Sequence, residues 1–139
     1  MIAKEYLGQL RRKNARINSL LARQRRYREL AARRTGAYRP VPGGGRRGAS
    51  SVEDYVCKIV DLEREIDRRI DEYVDLTREI EARIMSLEDE RYRDVLQFRY
   101  INDWSWEKIA REMHYSRDWV WALHGKALLE IDRHLKRTQ

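Results

Sequence analysis

Between residues 105 and 127, two hydroxyl side chains and two apolar stripes leave the chain few ways to fold. Ile109, Ala110 and Met113 recur at helical spacing on one face. After a break at His114-Tyr115, Val120, Leu123 and Ala127 make a second face. Ser105 and Ser116 stand where a side-chain oxygen accepts a bond from a free backbone N–H in the first turn of a helix. The pattern therefore predicts two short-linked helices crossing closely at the small Ala110. That is a helix-turn-helix, whose second helix is the one that fits the major groove of duplex DNA. A helical hairpin that only packs on another element is the alternative for the same spacing.

A further helix leads into this pair. Asp89 is a suitable N-cap, and Tyr92, Val95, Leu96, Arg99 and Tyr100 in RYRDVLQFRYI supply a face to bury. Asn102-Asp103 ends it, because both residues tolerate left-handed backbone. Trp104 and Trp106, on either side of Ser105, are expected to pack in the core against Tyr100 and Ile109. Residues 88–139 thus read as a three-helix helix-turn-helix unit.

The rest of the chain reads as two long helices. Residues 1–34 contain no proline and carry Leu7, Leu10, Ile17, Leu21 and Leu30 as a thin apolar stripe among many arginines. Residues 35–51 hold both prolines and five of the seven glycines, which predicts a flexible connector. From 52 to 87 apolar residues fall at 52, 56, 59, 66, 70, 73, 80, 84 and 87, with Thr77 in the same register. Only Glu63 interrupts this heptad seam, and Leu62 is placed to cover it. A seam of that kind needs a partner. Net charge, +7 for the whole chain, is +12 over residues 1–50, −8 over 51–90 and +3 over 91–139. The basic first helix and the acidic second are therefore predicted to fold back as an antiparallel coiled-coil hairpin. On that reading Arg11, Arg12, Arg16, Arg23, Arg25, Arg26 and Arg28 are the cationic partners of the acidic helix; a phosphate-binding strip is the alternative. The predicted class is all-α, with two long helices followed by the helix-turn-helix.

Several functions find no support. The chain has no Gly-rich phosphate loop, no nucleophile with a partnered base, and no carboxylate pair outside the helical heptads, so no enzyme and no cofactor are predicted. His114, His124 and His134 lie ten residues apart without cysteines or carboxylates at ligand spacing, which argues against zinc. Each is read as a surface or turn histidine. Cys57 is the single cysteine and, beside Val56 and Ile59, is expected to be a buried, inert thiol. The start MIAKEYLGQLRRK lacks a signal-peptide apolar run and no stretch of 18 apolar residues occurs, so a cytoplasmic protein without membrane contact is expected.

The segment LQFRYINDWSWEKIAREMHYSRDWVWALHGKALLEI resembles the C-terminal helix-turn-helix of phage transcriptional regulators of the ArpU and RinA type, itself similar to the promoter-reading region 4 of sigma factors. The matching residues are Arg99-Tyr100-Ile101, Ser105-Trp106-Glu107, Ile109-Ala110, Tyr115-Ser116-Arg117, Val120 and His124-Gly125-Lys126-Ala127-Leu128. The resemblance implies control of late phage or prophage genes for packaging and lysis in a bacterial host. This chain departs from the pattern with His114 where the turn often has glycine. Asp118 and Trp119 also replace a basic residue and a threonine after Arg117.

In a helix-turn-helix, residues near the start of the last helix meet base edges. Arg117 is the expected main contact, with Ser116, Asp118, Trp121 and Ala122 beside it. Asp118 can accept from cytosine N4 or orient Arg117, and Trp121 can meet a thymine methyl or cover a neighbouring helix. Lys108 and Arg111 suit phosphate contacts that set orientation, and His124 and Lys126 extend toward the backbone. Gly125 inside a helix suggests close approach of DNA or another helix. One such reader covers few base pairs, so a homodimer or higher homo-oligomer through the helical arm, or joint binding with RNA polymerase, is expected. Two other readings fit the same segments: a DNA-packaging adaptor like a small terminase subunit, and a module that binds RNA polymerase or a sigma factor without touching DNA.

Overall fold

The computed structural model describes residues 2–36 and 45–138, with side chains for 2–34 and 52–138. Every regular element among them is helical: α1 (Ile2–Gly36), α2 (Gly45–Met85), α3 (Glu90–Leu96), α4 (Trp106–Met113) and α5 (Arg117–Arg137). A π-helical turn, Gln97–Ile101, continues α3. None of the helices is long and apolar enough to cross a membrane.

Part of the expected connector 35–51 lies outside the described residues, but its two ends are helical. α1 runs to Gly36 and α2 begins at Gly45. No proline follows Pro42, so nothing after it forbids the intrahelical bonds.

The chain divides into two compact units, Asn14–Glu72 and Met1–Lys13 with Tyr73–Gln139. In the first, Leu20, Leu62 and Ile66 form a small buried cluster against Tyr27. Gln24 is buried and donates from Nε2 to the Ile59 carbonyl at 3.2 Å. Tyr27 packs on Tyr55, with the Lys58 ammonium over both rings. Contacts thus pair rising positions on α1 with falling positions on α2 within this unit.

Much of both expected stripes is buried, Leu7, Leu10 and Ile17 on α1, Ile66, Ile80 and Ile84 on α2 and Leu87 just after it, with a few exceptions. On α1 the exception is Leu21, 38% exposed, whose neighbour Leu20 is buried in its place. On α2 the predicted seam residues Val56 and Ile70 are exposed while Leu62 is buried and Leu76 half-buried. At the break in the seam Leu62 is buried and Glu63 exposed, because burying that carboxylate without a partner would cost free energy. Cys57 stands on the outward side and is exposed, contrary to expectation.

The second unit has the larger core. Ala3, Leu7 and Leu10 of α1 join Ile80, Ile84 and Leu87, Val95 and Leu96 of α3, Ile109 and Ala110 of α4, and Val120, Leu123, Ala127, Leu128 and Ile131 of α5. Each large side chain so buried contributes about 1.5–3 kcal/mol. The N–H of Ala3, one of the donors that a helix start leaves without an intrahelical partner, is met by the Asp132 carboxylate of α5 at 2.6 Å. Arg83 donates to the Tyr6 hydroxyl at 3.1 Å. The first turns of α1 are therefore part of the unit that holds α3 to α5, a membership that no local pattern in the sequence reveals.

Candidate nucleic-acid interface

Three hydroxyl or carboxylate caps set the helix starts of this unit. Asp89 accepts from the Arg91 N–H, Ser105 from the Lys108 N–H at 3.2 Å and Ser116 from the Trp119 N–H at 3.1 Å. Between the two serines α4 ends at His114, whose φ of 60° and ψ of 40° place it in the left-handed region. The Tyr115 N–H reaches back to the Ala110 carbonyl and the His114 N–H to that of Arg111, closing the turn in the manner that glycine usually serves. Asp103 is left-handed as well, with φ 57°, which ends the π-helical turn where Asn102-Asp103 was expected to end it.

The π-helical turn positions aromatic residues under α4. Phe98 stacks on Trp104 at 4.5 Å, and Arg99 donates to the Trp104 carbonyl while its guanidinium lies 4.4 Å over the Trp106 ring. Trp106 meets Trp121 edge to face at 5.0 Å and His124 at 4.7 Å. Trp106 is half-buried, packs against the core cluster that contains Ile109, as Trp104 does, and links α4 to α5.

Along α5 the faces separate sharply. Val120, Leu123, Ala127 and Ile131 are buried, while Arg117, Asp118, Trp119, Trp121, Ala122 and Lys126 are exposed, Trp121 at 55%. The cap Ser116 is exposed too. Arg117 pairs with Glu107 of α4, Nη1 to Oε1 at 3.2 Å. Lys108 lies over the Trp104 ring at 4.4 Å, Lys126 over Trp119 at 5.6 Å, and Arg111 is exposed. The expected contacts Ser116, Arg117, Asp118, Trp121 and Ala122 thus share one exposed start of α5.

His124 does not belong with them. It is 3% exposed, and its Nε2 lies 2.7 Å from the Tyr100 hydroxyl. Burial first, then the positive charges of Lys4 and Arg99, push its pKa down to about 4, so it is neutral near pH 7. Its phosphate role is withdrawn: the i+4 spacing from Val120 turns it inward with the core stripe. Burial likewise raises the Tyr100 hydroxyl above its ordinary value. At Gly125 a Cβ would meet nothing within 4 Å, so no neighbouring element within the described residues requires the glycine.

Two charge pairings at the starts of α4 and α5 are absent from what the sequence led us to expect. Glu107 is the partner of Arg117. Arg11, expected to pair with the acidic helix, instead donates from Nε and Nη2 to Asp103 Oδ1, at 3.1 and 2.8 Å, at the loop before α4. Their only advance signal is opposite charge, which cannot select between partners far apart in the chain. Among the described residues no group of three or more His, Cys, Asp or Glu is placed to hold a metal ion.

No curated protein and no solved structure matches this chain. One family model does, over residues 36–132, a span that takes in all of α3, α4 and the exposed start of α5. The chain therefore belongs to the DUF1492 family, described as a protein of unknown function.

Proposed function

We propose that this chain is a sequence-specific transcriptional regulator that binds double-stranded DNA, with α4 and α5 forming a helix-turn-helix and α5 lying in the major groove. One observation carries the reading: Arg117, Asp118, Trp121 and Ala122 are exposed together at the start of a helix whose opposite face is locked into the core. Arg117 is the principal base contact, with Ser116, Asp118, Trp121 and Ala122 beside it. Lys108, Arg111 and Lys126 contact phosphate and set orientation. The resemblance to ArpU- and RinA-type regulators supports a role in late phage or prophage gene control. An antiparallel pairing of α1 with α2 is supported in residues 14–72 by the contacts of Leu20 with Leu62 and Gln24 with Ile59. Val56, Val60 and Ile70, exposed on α2, supply apolar surface for self-association into a dimer or higher oligomer.

Selection of binding sites from random duplexes tests the proposal. A recovered motif with an inverted repeat implies a two-fold dimer, and a lone asymmetric site beside a promoter implies joint action with RNA polymerase. Arg117→Ala is expected to abolish selectivity. Lys108→Ala weakens binding to all duplexes alike and lowers the salt slope by about one unit. Equal losses on selected and random duplexes for Arg117→Ala overturn the assignment of base reading to that residue.

A further inference from the structure

A cleft of about 320 Å3 opens between the starts of α4 and α5, lined by Trp106, Arg117, Asp118 and Trp121. Its apolar corner is made by two indoles set at 73° with centroids 5.0 Å apart. Trp106 is backed by Arg99 and His124, so that wall is fixed in place, and Trp121 is the exposed one. Arg117 is held by Glu107, which leaves the Asp118 carboxylate as the acceptor among the cleft's own lining residues.

A carboxylate next to an apolar corner complements one base edge in particular. On the major-groove edge of cytosine the N4 amine, a donor, adjoins C5. Thymine carries a methyl at C5 but an acceptor, O4, at the adjoining position, which a carboxylate repels. We propose that the cleft takes the N4 and C5 edge of a cytosine, with Asp118 accepting from N4 and the Trp106–Trp121 corner receiving C5, so that 5-methylcytosine is favoured and thymine rejected. This assignment rests on the major-groove reading of α5 given above. The two requirements fall on different residues, Asp118 at N4 and the tryptophan corner at C5, so discrimination at C4 and at C5 is separable by mutation.

The test uses the full chain and duplexes carrying the selected site, each cytosine replaced in turn by 5-methylcytosine or by a T·A pair. At one position 5-methylcytosine is expected to tighten binding roughly fourfold, the worth of one buried methyl. T·A at that position weakens binding on the order of tenfold or more. Trp121→Ala removes the methyl response and keeps the preference for cytosine over thymine. Asp118→Asn keeps the methyl response and loses that preference, because a carboxamide can donate to O4. Both side chains are exposed, and unchanged circular dichroism melting confirms that the variants fold. Selective binding by the wild-type chain with no methyl-responsive cytosine overturns the cleft assignment alone, as does a methyl response that survives in Trp121→Ala. Absence of selective binding to any duplex overturns the major-groove reading itself.

Discussion

The Arg117 guanidinium is joined to the Glu107 carboxylate at 3.2 Å, so the first residue of α5 is tied to the first turn of α4. Both side chains are about two-thirds exposed, 65% and 62%, so the pair adds little to stability, about 0–1 kcal/mol. Its effect is on conformation and charge. An unpaired arginine samples many rotamers, and the carboxylate restricts them before any ligand arrives. With α5 in the major groove as proposed, the same carboxylate repels phosphate and disfavours capture of Arg117 by the DNA backbone.

Glu107→Gln is therefore expected to strengthen binding to random duplexes by roughly two- to fivefold, the size of one exposed charge interaction, and to narrow the ratio of selected to random affinity. Anisotropy titrations on the two duplexes measure this. A ratio that stays constant shows that Glu107 does not influence selectivity.

His114 adopts φ 60° without being a glycine, and left-handed backbone costs an ordinary residue about 1–2 kcal/mol. His114→Gly removes that strain at the turn. The expected gain, about 1 kcal/mol after the greater freedom of glycine in the unfolded chain is subtracted, is read from urea unfolding. Destabilisation would show that the imidazole makes a contact outweighing the strain.

The buried His124 makes stability depend on pH. Its pKa is about 4 in the folded chain against an ordinary 6.5, so between those values the unfolded chain holds a proton that the folded chain excludes. Stability is then highest above pH 6.5 and falls as the pH drops toward 4, by at most about 3 kcal/mol. Comparing urea unfolding of the wild type and His124→Gln at pH 7 and pH 4.5 isolates this part from the carboxylates. Equal losses in both proteins place the acid sensitivity elsewhere.

Leu7 is fully buried in the core shared with α3 to α5, whereas Leu21 is 38% exposed. Leu7→Ala is expected to cost 2–5 kcal/mol on the general scale of large-to-small core changes, so about that much here, and Leu21→Ala less than about 1 kcal/mol. Near-ultraviolet circular dichroism of the tryptophans, all in residues 104–121, reports unfolding of that unit. Similar losses for both variants would separate the first turns of α1 from this core.

Local chemistry made the α4–α5 region readable in advance. Ser105 and Ser116 cap because a β-region residue with a short hydroxyl meets free N–H groups only a few residues ahead. Ile109, Val120 and Leu123 are buried because a 3.6-residue repeat sets their direction. Periodicity was weaker on α2, where the alternatives through Glu63 and Leu62 differ by one residue on the wheel. Only the cost of burying a charge separates them. Leu20 and Leu21 are equally apolar, and only packing within the folded unit separates them.

The amino-acid order alone decided the all-helical character, the helix starts at Asp89, Ser105 and Ser116, and the outward position of Arg117, Asp118 and Trp121, since each depends on neighbours within about two turns. Tertiary packing decided the pairings between helices: Ala3, Leu7 and Leu10 in the core of the α3–α5 unit, Arg11 on Asp103, Arg117 on Glu107 and His124 beneath Tyr100. Spacing specifies which way a side chain points from its own helix. The partner waiting there is selected by the free energy of the whole packed unit, through buried area and desolvation that no single segment contains.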